Sequence, residues 1–137
     1  MRTIREIIEE RKLVAVREDK AILDAVRLMV KHKIGAMPVT DDSGRVIGIF
    51  TERDLMKRVV AAELDPKTTL ISQVMTKKLF MVASNETPAR CLRMMKERKF
   101  RHLLIAEKGQ VVGIVSQRDL IEIELTVKTK ALLSVDA

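Results

Sequence analysis

GRVIGIFTERDL, from Gly44 to Leu55, returns as GQVVGIVSQRDL from Gly109 to Leu120, with seven of the twelve positions identical. The offset is 65 residues here and 66 upstream, where Leu13, Val16, Arg27, Met29 and Lys33 align with Leu79, Val82, Arg93, Met95 and Lys99. The missing residue falls in a turn, TDDSG (Thr40 to Gly44) against AEKG (Ala106 to Gly109), where a chain best tolerates a change of length. The chain is a duplication, and two copies are too few for a solenoid.

Outward from these segments, each copy reads as strand, helix, strand, strand, helix. Leu13 to Val16 and Leu79 to Val82 are short apolar strands. Ala21, Ala25, Leu28 and Met29 recur at helical spacing, and Leu92 and Met95 do the same behind Pro88, which suits a first helical turn. MPVT and RVIGIF flank Asp-Ser-Gly, while LLIA and QVVGIV flank Lys-Gly, so both copies carry a hairpin signal. The expected organisation is an N-terminal helix (1–12), a first repeat (13–63), a linker ending in ISQVM (64–78), a second repeat (79–127) and a C-terminal tail (128–137). Ile4, Ile7 and Ile8 give the N-terminal helix an apolar face that something must cover.

At 137 residues the chain can bury a core without disulfides or a structural metal, and its single Cys91 offers neither a bridge nor a metal-ligand spacing. No apolar run reaches the roughly 20 residues of a membrane span. The start MRTIREIIEERK is too charged for a signal peptide, so a reducing, cytoplasmic location is expected. A net charge of +7 favours anionic partners. Six Lys or Arg against one Glu between Arg90 and His102 keep nucleic acid open as a partner, although no recognition-helix pattern accompanies them. With no Trp or Tyr and only Phe50, Phe80 and Phe100, few rings are available to stack bases. No nucleophile with its base, paired acids or metal cluster is legible, which argues against an enzyme.

Two readings stand for Thr51-Glu52-Arg53-Asp54 and Ser116-Gln117-Arg118-Asp119, each placed where a strand turns into a helix. The pattern is a capping box, in which a hydroxyl satisfies a free backbone N–H. A hydroxyl beside a helix N-terminus also suits a phosphate group.

KHKIGAMPVTDDSGRVIGIFTERDL (Lys31 to Leu55), KERKFRHLLIAEKGQVVGIVSQRDL (Lys96 to Leu120) and the connecting ISQVMT together resemble a tandem pair of cystathionine-β-synthase-type (CBS) domains, over nearly the whole chain. The resemblance implies an α/β (α+β) fold of two β-α-β-β-α repeats related by a pseudo-twofold axis, with two clefts between them. It implies a non-catalytic regulatory module that binds adenine nucleotides and signals to a regulated partner protein. AMP, ADP and ATP are the expected ligands, with NAD and S-adenosylmethionine as further candidates. No cofactor is required, and a homodimer is expected.

By the same resemblance Asp54 and Asp119 accept hydrogen bonds from ribose hydroxyls, and Thr51 and Ser116 lie close to ribose and phosphate. Arg53 and Arg118 are either phosphate contacts or exposed helix charges. Asp119 would face Val16 and the entry Ile34, Gly35, Ala36, Met37 and Pro38, while Asp54 would face Val82, Phe100, Arg101, His102 and Leu103. Arg101 and His102 are the phosphate candidates of the second entry, where Leu104 stands in place of Pro38. Removing either carboxylate is expected to abolish one site with little loss of stability. A ligand-free dimerisation scaffold and a basic nucleic-acid-binding protein are the alternatives.

Overall fold

In the computed structural model residues 3–125 are described, and the expected tail at 128–137 and the last two residues of the second repeat lie outside them. In the first repeat β1 (Val16–Arg17) is followed by α2 (Ile22–His32), β2 (Ala36–Thr40), β3 (Val46–Thr51) and α3 (Glu52–Asp54). The second has β4 (Met81–Ala83), α5 (Pro88–Arg98), β5 (His102–Glu107), β6 (Gln110–Ser116) and α6, helical over 117–125. Two short helices stand outside this pattern, α1 (Ile4–Glu9) and α4 (Ile71–Val74). The order read from the sequence is therefore present in both copies.

Each repeat forms its own three-stranded sheet, β1-β2-β3 and β4-β5-β6, with the first pair parallel and the second antiparallel. Both hairpins carry an irregularity at the same place, between Val39 and Thr40 and between Ile105 and Ala106. The turns account for the changed offset. Asp41 accepts from the Ser43 and Arg45 backbone N–H groups in the longer loop, whereas Lys108 and Gly109 both have positive φ in a two-residue turn. Lys33 and Lys99, aligned in the sequence, end α2 and α5 in the left-handed conformation, at φ 54° and 58°.

Leu104 replaces Pro38 without altering the register, since Pro38 pairs with Ile49 and Leu104 with Ile114. The substitution adds a donor. The Leu104 N–H bonds the Phe80 carbonyl at 3.0 Å, a bond that proline cannot make at the aligned position. Three residue pairs accordingly join β4 to β5, and two join β1 to β2. α3 does not continue as a regular helix: Leu55–Val60 form a π turn in which the Ala61 N–H reaches the Met56 carbonyl.

Two compact units emerge, one running Val14–Leu79 and the other joining the chain up to Leu13 with the chain from Phe80 onward. α4 belongs with the first repeat and α1 with the second. Ile71, Val74 and Met75 are buried with Phe50, Met37 and Val39, while Ile4, Ile7 and Ile8 are buried with Cys91, Leu103, Ile105 and Leu120. The apolar face of α1 is thus covered by its own chain. At six residues α1 is too short to persist alone, so packing holds it.

The glycine shared by the two GRVIGIF-type segments makes this docking possible. A Cβ on Gly48 would come within 2.5 Å of the Met75 sulfur, and a Cβ on Gly113 would meet Ile8 Cγ2 at 2.5 Å and its Cβ at 2.8 Å. Met75 is flexible, but Ile8 is β-branched and stiff. Gly113→Ala is expected to cost about 1–3 kcal/mol through overpacking, and Gly48→Ala less, when the two variants are compared by denaturant unfolding. Equal, negligible losses would contradict this assignment.

Candidate functional site

The two Thr/Ser-to-Asp motifs close the last strand of each repeat and open the helix after it. In the first, Thr51 is the N-cap: its Oγ1 accepts from the Asp54 N–H at 3.1 Å, and Asp54 Oδ2 accepts from the Thr51 N–H at 3.0 Å. The second oxygen, Oδ1, accepts from Thr76 Oγ1 at 3.0 Å and lies 3.7 Å from Arg58 Nε. Asp54 is 6% exposed, and each of its oxygens has a partner.

Ser116 and Asp119 repeat the reciprocal bonds, with the Asp119 N–H donating to Ser116 Oγ at 3.1 Å and the Ser116 N–H to Asp119 Oδ2 at 2.8 Å. Here the outward partner is a cation. Arg11, two residues past the end of α1, clasps the carboxylate with Nη2 at 2.6 Å from Oδ1 and Nη1 at 2.9 Å from Oδ2. Burial pushes the Asp119 carboxyl upward, but the hydrogen bonds from Arg11 and the Ser116 backbone outweigh it and hold the group below its ordinary value. The capping reading of both motifs is therefore realised, and the ligand reading has to share the same carboxylates.

Within each repeat the strand-entry residues lie beside the cap. Ala36 pairs with Thr51 and the Glu52 N–H donates to the Gly35 carbonyl at 2.9 Å, while His102 pairs with Ser116 and the Gln117 N–H donates to the Arg101 carbonyl at 2.8 Å. Gly35 is tight: a Cβ there would stand 3.1 Å from the Glu52 carboxylate. The side chains of Val16, Met37 and Leu103 are committed to the cores, and Ala36 and Pro38 are also buried. Ile34, Val82 and Phe100 are half-buried against the cores. Arg53, Arg101 and Arg118 are exposed, and Arg118 pairs with Glu122 at 3.7 Å. Phe100 stacks on Phe80 with ring centroids 3.9 Å apart, and the Arg98 guanidinium lies 5.8 Å over the Phe80 ring.

The Thr51 hydroxyl also donates to Asp54 Oδ2 at 3.2 Å. Among the described residues no group of three His, Cys, Asp or Glu side chains could hold a metal ion. Cys91 is buried in the second core, and burial pushes its thiol up to about 11. No described helix is long and apolar enough to cross a membrane.

A family model of the CBS domain matches twice, over residues 4–61 and 71–125. The chain belongs to the CBS-domain family. Each match begins at a short helix, α1 or α4, that precedes its repeat in the sequence but packs on the core of the other repeat. Hypoxic response protein 1 of Mycobacterium tuberculosis is 30% identical over 120 residues, covering 88% of this CBS chain and 83% of that protein. The CBS domain-containing protein CBSCBSPB2 of Arabidopsis thaliana is 36% identical over 104 residues, 76% of this chain, which spans only 19% of its length.

Among solved structures, a CBS-domain containing protein from Agrobacterium tumefaciens matches with a TM-score of 0.79 at 35% identity, covering 87% of this chain and 90% of that one. The CBS domain pair of the protein MJ0100, solved in complex with 5′-methylthioadenosine and S-adenosyl-L-methionine, matches with a TM-score of 0.71 over 82% of this chain and 88% of its own. At 23% identity that likeness concerns the fold alone.

Sequence reasoning missed Thr76, Arg58 and Arg11. Thr76 has a local signal, because it closes the ISQVMT segment of the linker after the first repeat. Arg11 has none: it lies 108 residues from Asp119 and in the opposite half of the sequence.

Proposed function

We propose that this CBS pair is a regulatory module without chemistry of its own, which binds an adenine nucleotide of the AMP, ADP or ATP type and passes its presence to a partner protein. The observation that carries the reading is the recurrence of one arrangement in both repeats: a hydroxyl and a carboxylate at a strand-to-helix junction, bordered by the strand-entry backbone. A carboxylate is the acceptor that a ribose diol needs, and Arg101 supplies positive charge beside the second junction. The apolar and small entry residues 34–38, with Val82 and 100–103, are the proposed base and phosphate contacts.

A homodimer is the proposed assembly. Met56 and Val60 after α3, and Ile121 and Leu125 on α6, are exposed apolar pairs at equivalent places in the two repeats, and burying them favours association. A ligand shifts such an assembly only to the extent that it binds one arrangement better than another.

Thermal melting against AMP, ADP, ATP, NAD, S-adenosylmethionine and a short oligonucleotide tests the reading. A true ligand at 100 times its dissociation constant is expected to add about 2.7 kcal/mol of stability. Stabilisation by the oligonucleotide alone would point to nucleic acid, and no response to any compound would leave a dimerisation scaffold.

A further inference from the structure

The two carboxylates have unequal guards. Asp54 Oδ1 is held outwardly by the neutral hydroxyl of Thr76, with Arg58 Nε at 3.7 Å. Asp119 is instead clasped on both oxygens by the Arg11 guanidinium, in the bidentate geometry that binds carboxylates best. Asp119 also keeps its backbone bond from Ser116, so few lone pairs remain for a third donor. The ribose hydroxyls and Arg11 therefore seek the same acceptors.

Arg11 is also placed where its release has consequences. Further back on α1, Ile4, Ile7 and Ile8 are buried, and Arg5 bonds Ser84 at 3.0 Å and lies 3.2 Å from Glu107. Two residues after Arg11, at Leu13, the chain leaves one unit and enters the other. Withdrawal of Arg11 would free the joining segment while α1 stays seated on its core.

We infer that Arg11 is a resident competitor for the sugar-binding position at Asp119, so that a ligand there has to displace it and thereby releases the segment joining α1 to the first repeat. The inference rests on the proposed role of Asp119 as a ribose acceptor. The carboxylate clasp consequently acts as an autoinhibitory latch on one of the two sites, and the Asp54 site lacks it.

Adenosine is the probe, because it carries the ribose but no phosphate to which a freed Arg11 could turn. Amide NMR titrations of the full chain read the two sites separately, through Ser116 and Asp119 and through Thr51 and Asp54. Arg11→Ala is expected to tighten adenosine binding at Ser116 and Asp119 by about three- to tenfold while leaving the constant at Thr51 and Asp54 unchanged, as removal of a competing half-exposed ion pair requires. Arg11→Lys, which keeps the charge and loses the fork, is expected to fall between wild type and Arg11→Ala, and unchanged Ile4 and Ile7 amides will show that α1 is still docked. Adenosine binding that depends on Asp119 but is unchanged or weakened in both Arg11 variants would overturn the latch and leave the site standing. Shifts that are absent from Ser116 and Asp119 in every variant, or that survive Asp119→Ala, would overturn the site itself and the latch with it.

Discussion

Asp54→Ala is expected to lower the stability of the protein by about 2–3 kcal/mol, a fall of roughly 5–10 °C in melting temperature for a chain of this size. The substitution removes both carboxylate oxygens, one of them the return half of the capping box. Without the carboxylate, the Thr51 N–H and the Thr76 hydroxyl both lose their acceptor beside a group only 6% exposed, and an unsatisfied buried donor costs about 1–3 kcal/mol. The Thr51 hydroxyl still accepts from the backbone N–H of residue 54, so the cap itself is kept. Asp119→Ala should cost less, because Arg11, the partner it strands, is 46% exposed and returns to water. This revises the expectation that either carboxylate can be removed at little cost. Differential scanning calorimetry decides it, and an Asp54→Ala melting point within a degree of wild type would show that the box contributes nothing.

Ile7→Ala is expected to cost about 2–4 kcal/mol, as for a fully buried large-to-small change. Ile7 is 2% exposed and packs with the second core through a helix of six residues. A solvent-facing isoleucine on a loose N-terminal helix would lose under about 0.5 kcal/mol on the same change. Because α1 is separated in sequence from the repeat it covers, the damage should be regional. Amide exchange is expected to accelerate across β5 and β6 more than across β2 and β3. Uniform protection loss, or none, would contradict the assignment of α1 to the second core.

The parts of the fold that were legible in the sequence depend on local pattern. The duplication, the hairpin turns at Asp-Ser-Gly and Lys-Gly, and the helices over Ile22–His32 and Pro88–Arg98 all follow from neighbours along the chain. The spacing of Ile4, Ile7 and Ile8 and that of Ile71, Val74 and Met75 are the same, so equivalence of α1 and α4 was also written there. Which core each would cover was not, since an apolar stripe demands a partner without naming it. Nothing along the chain accounts for glycine at Gly48 and Gly113, and only the approaching Met75 and Ile8 explain them. The π turn at Leu55–Val60 left no trace either, because Leu55 and Val59 keep ordinary helical spacing.

At the candidate site, motif and cap positions were legible and the partners of the carboxylates were not. Thr51 to Asp54 and Ser116 to Asp119 are four-residue patterns whose hydrogen bonds follow from helix geometry. Thr76 and Arg11 reach them from other elements, and Arg11 from the opposite end of the chain. Tertiary partners of this kind carry no periodicity that one sequence can display.

Whether the carboxylates of Asp54 and Asp119 receive ribose hydroxyls is tested directly by comparing AMP with 2′,3′-dideoxy-AMP in calorimetric titration. Wild type is expected to bind AMP at least about tenfold more tightly, the worth of one or two hydrogen bonds to a charged acceptor. That preference should collapse toward unity at the altered site in folded Asp54→Asn and Asp119→Asn. A dideoxy compound bound as tightly as AMP, or a preference untouched by both substitutions, would contradict the account.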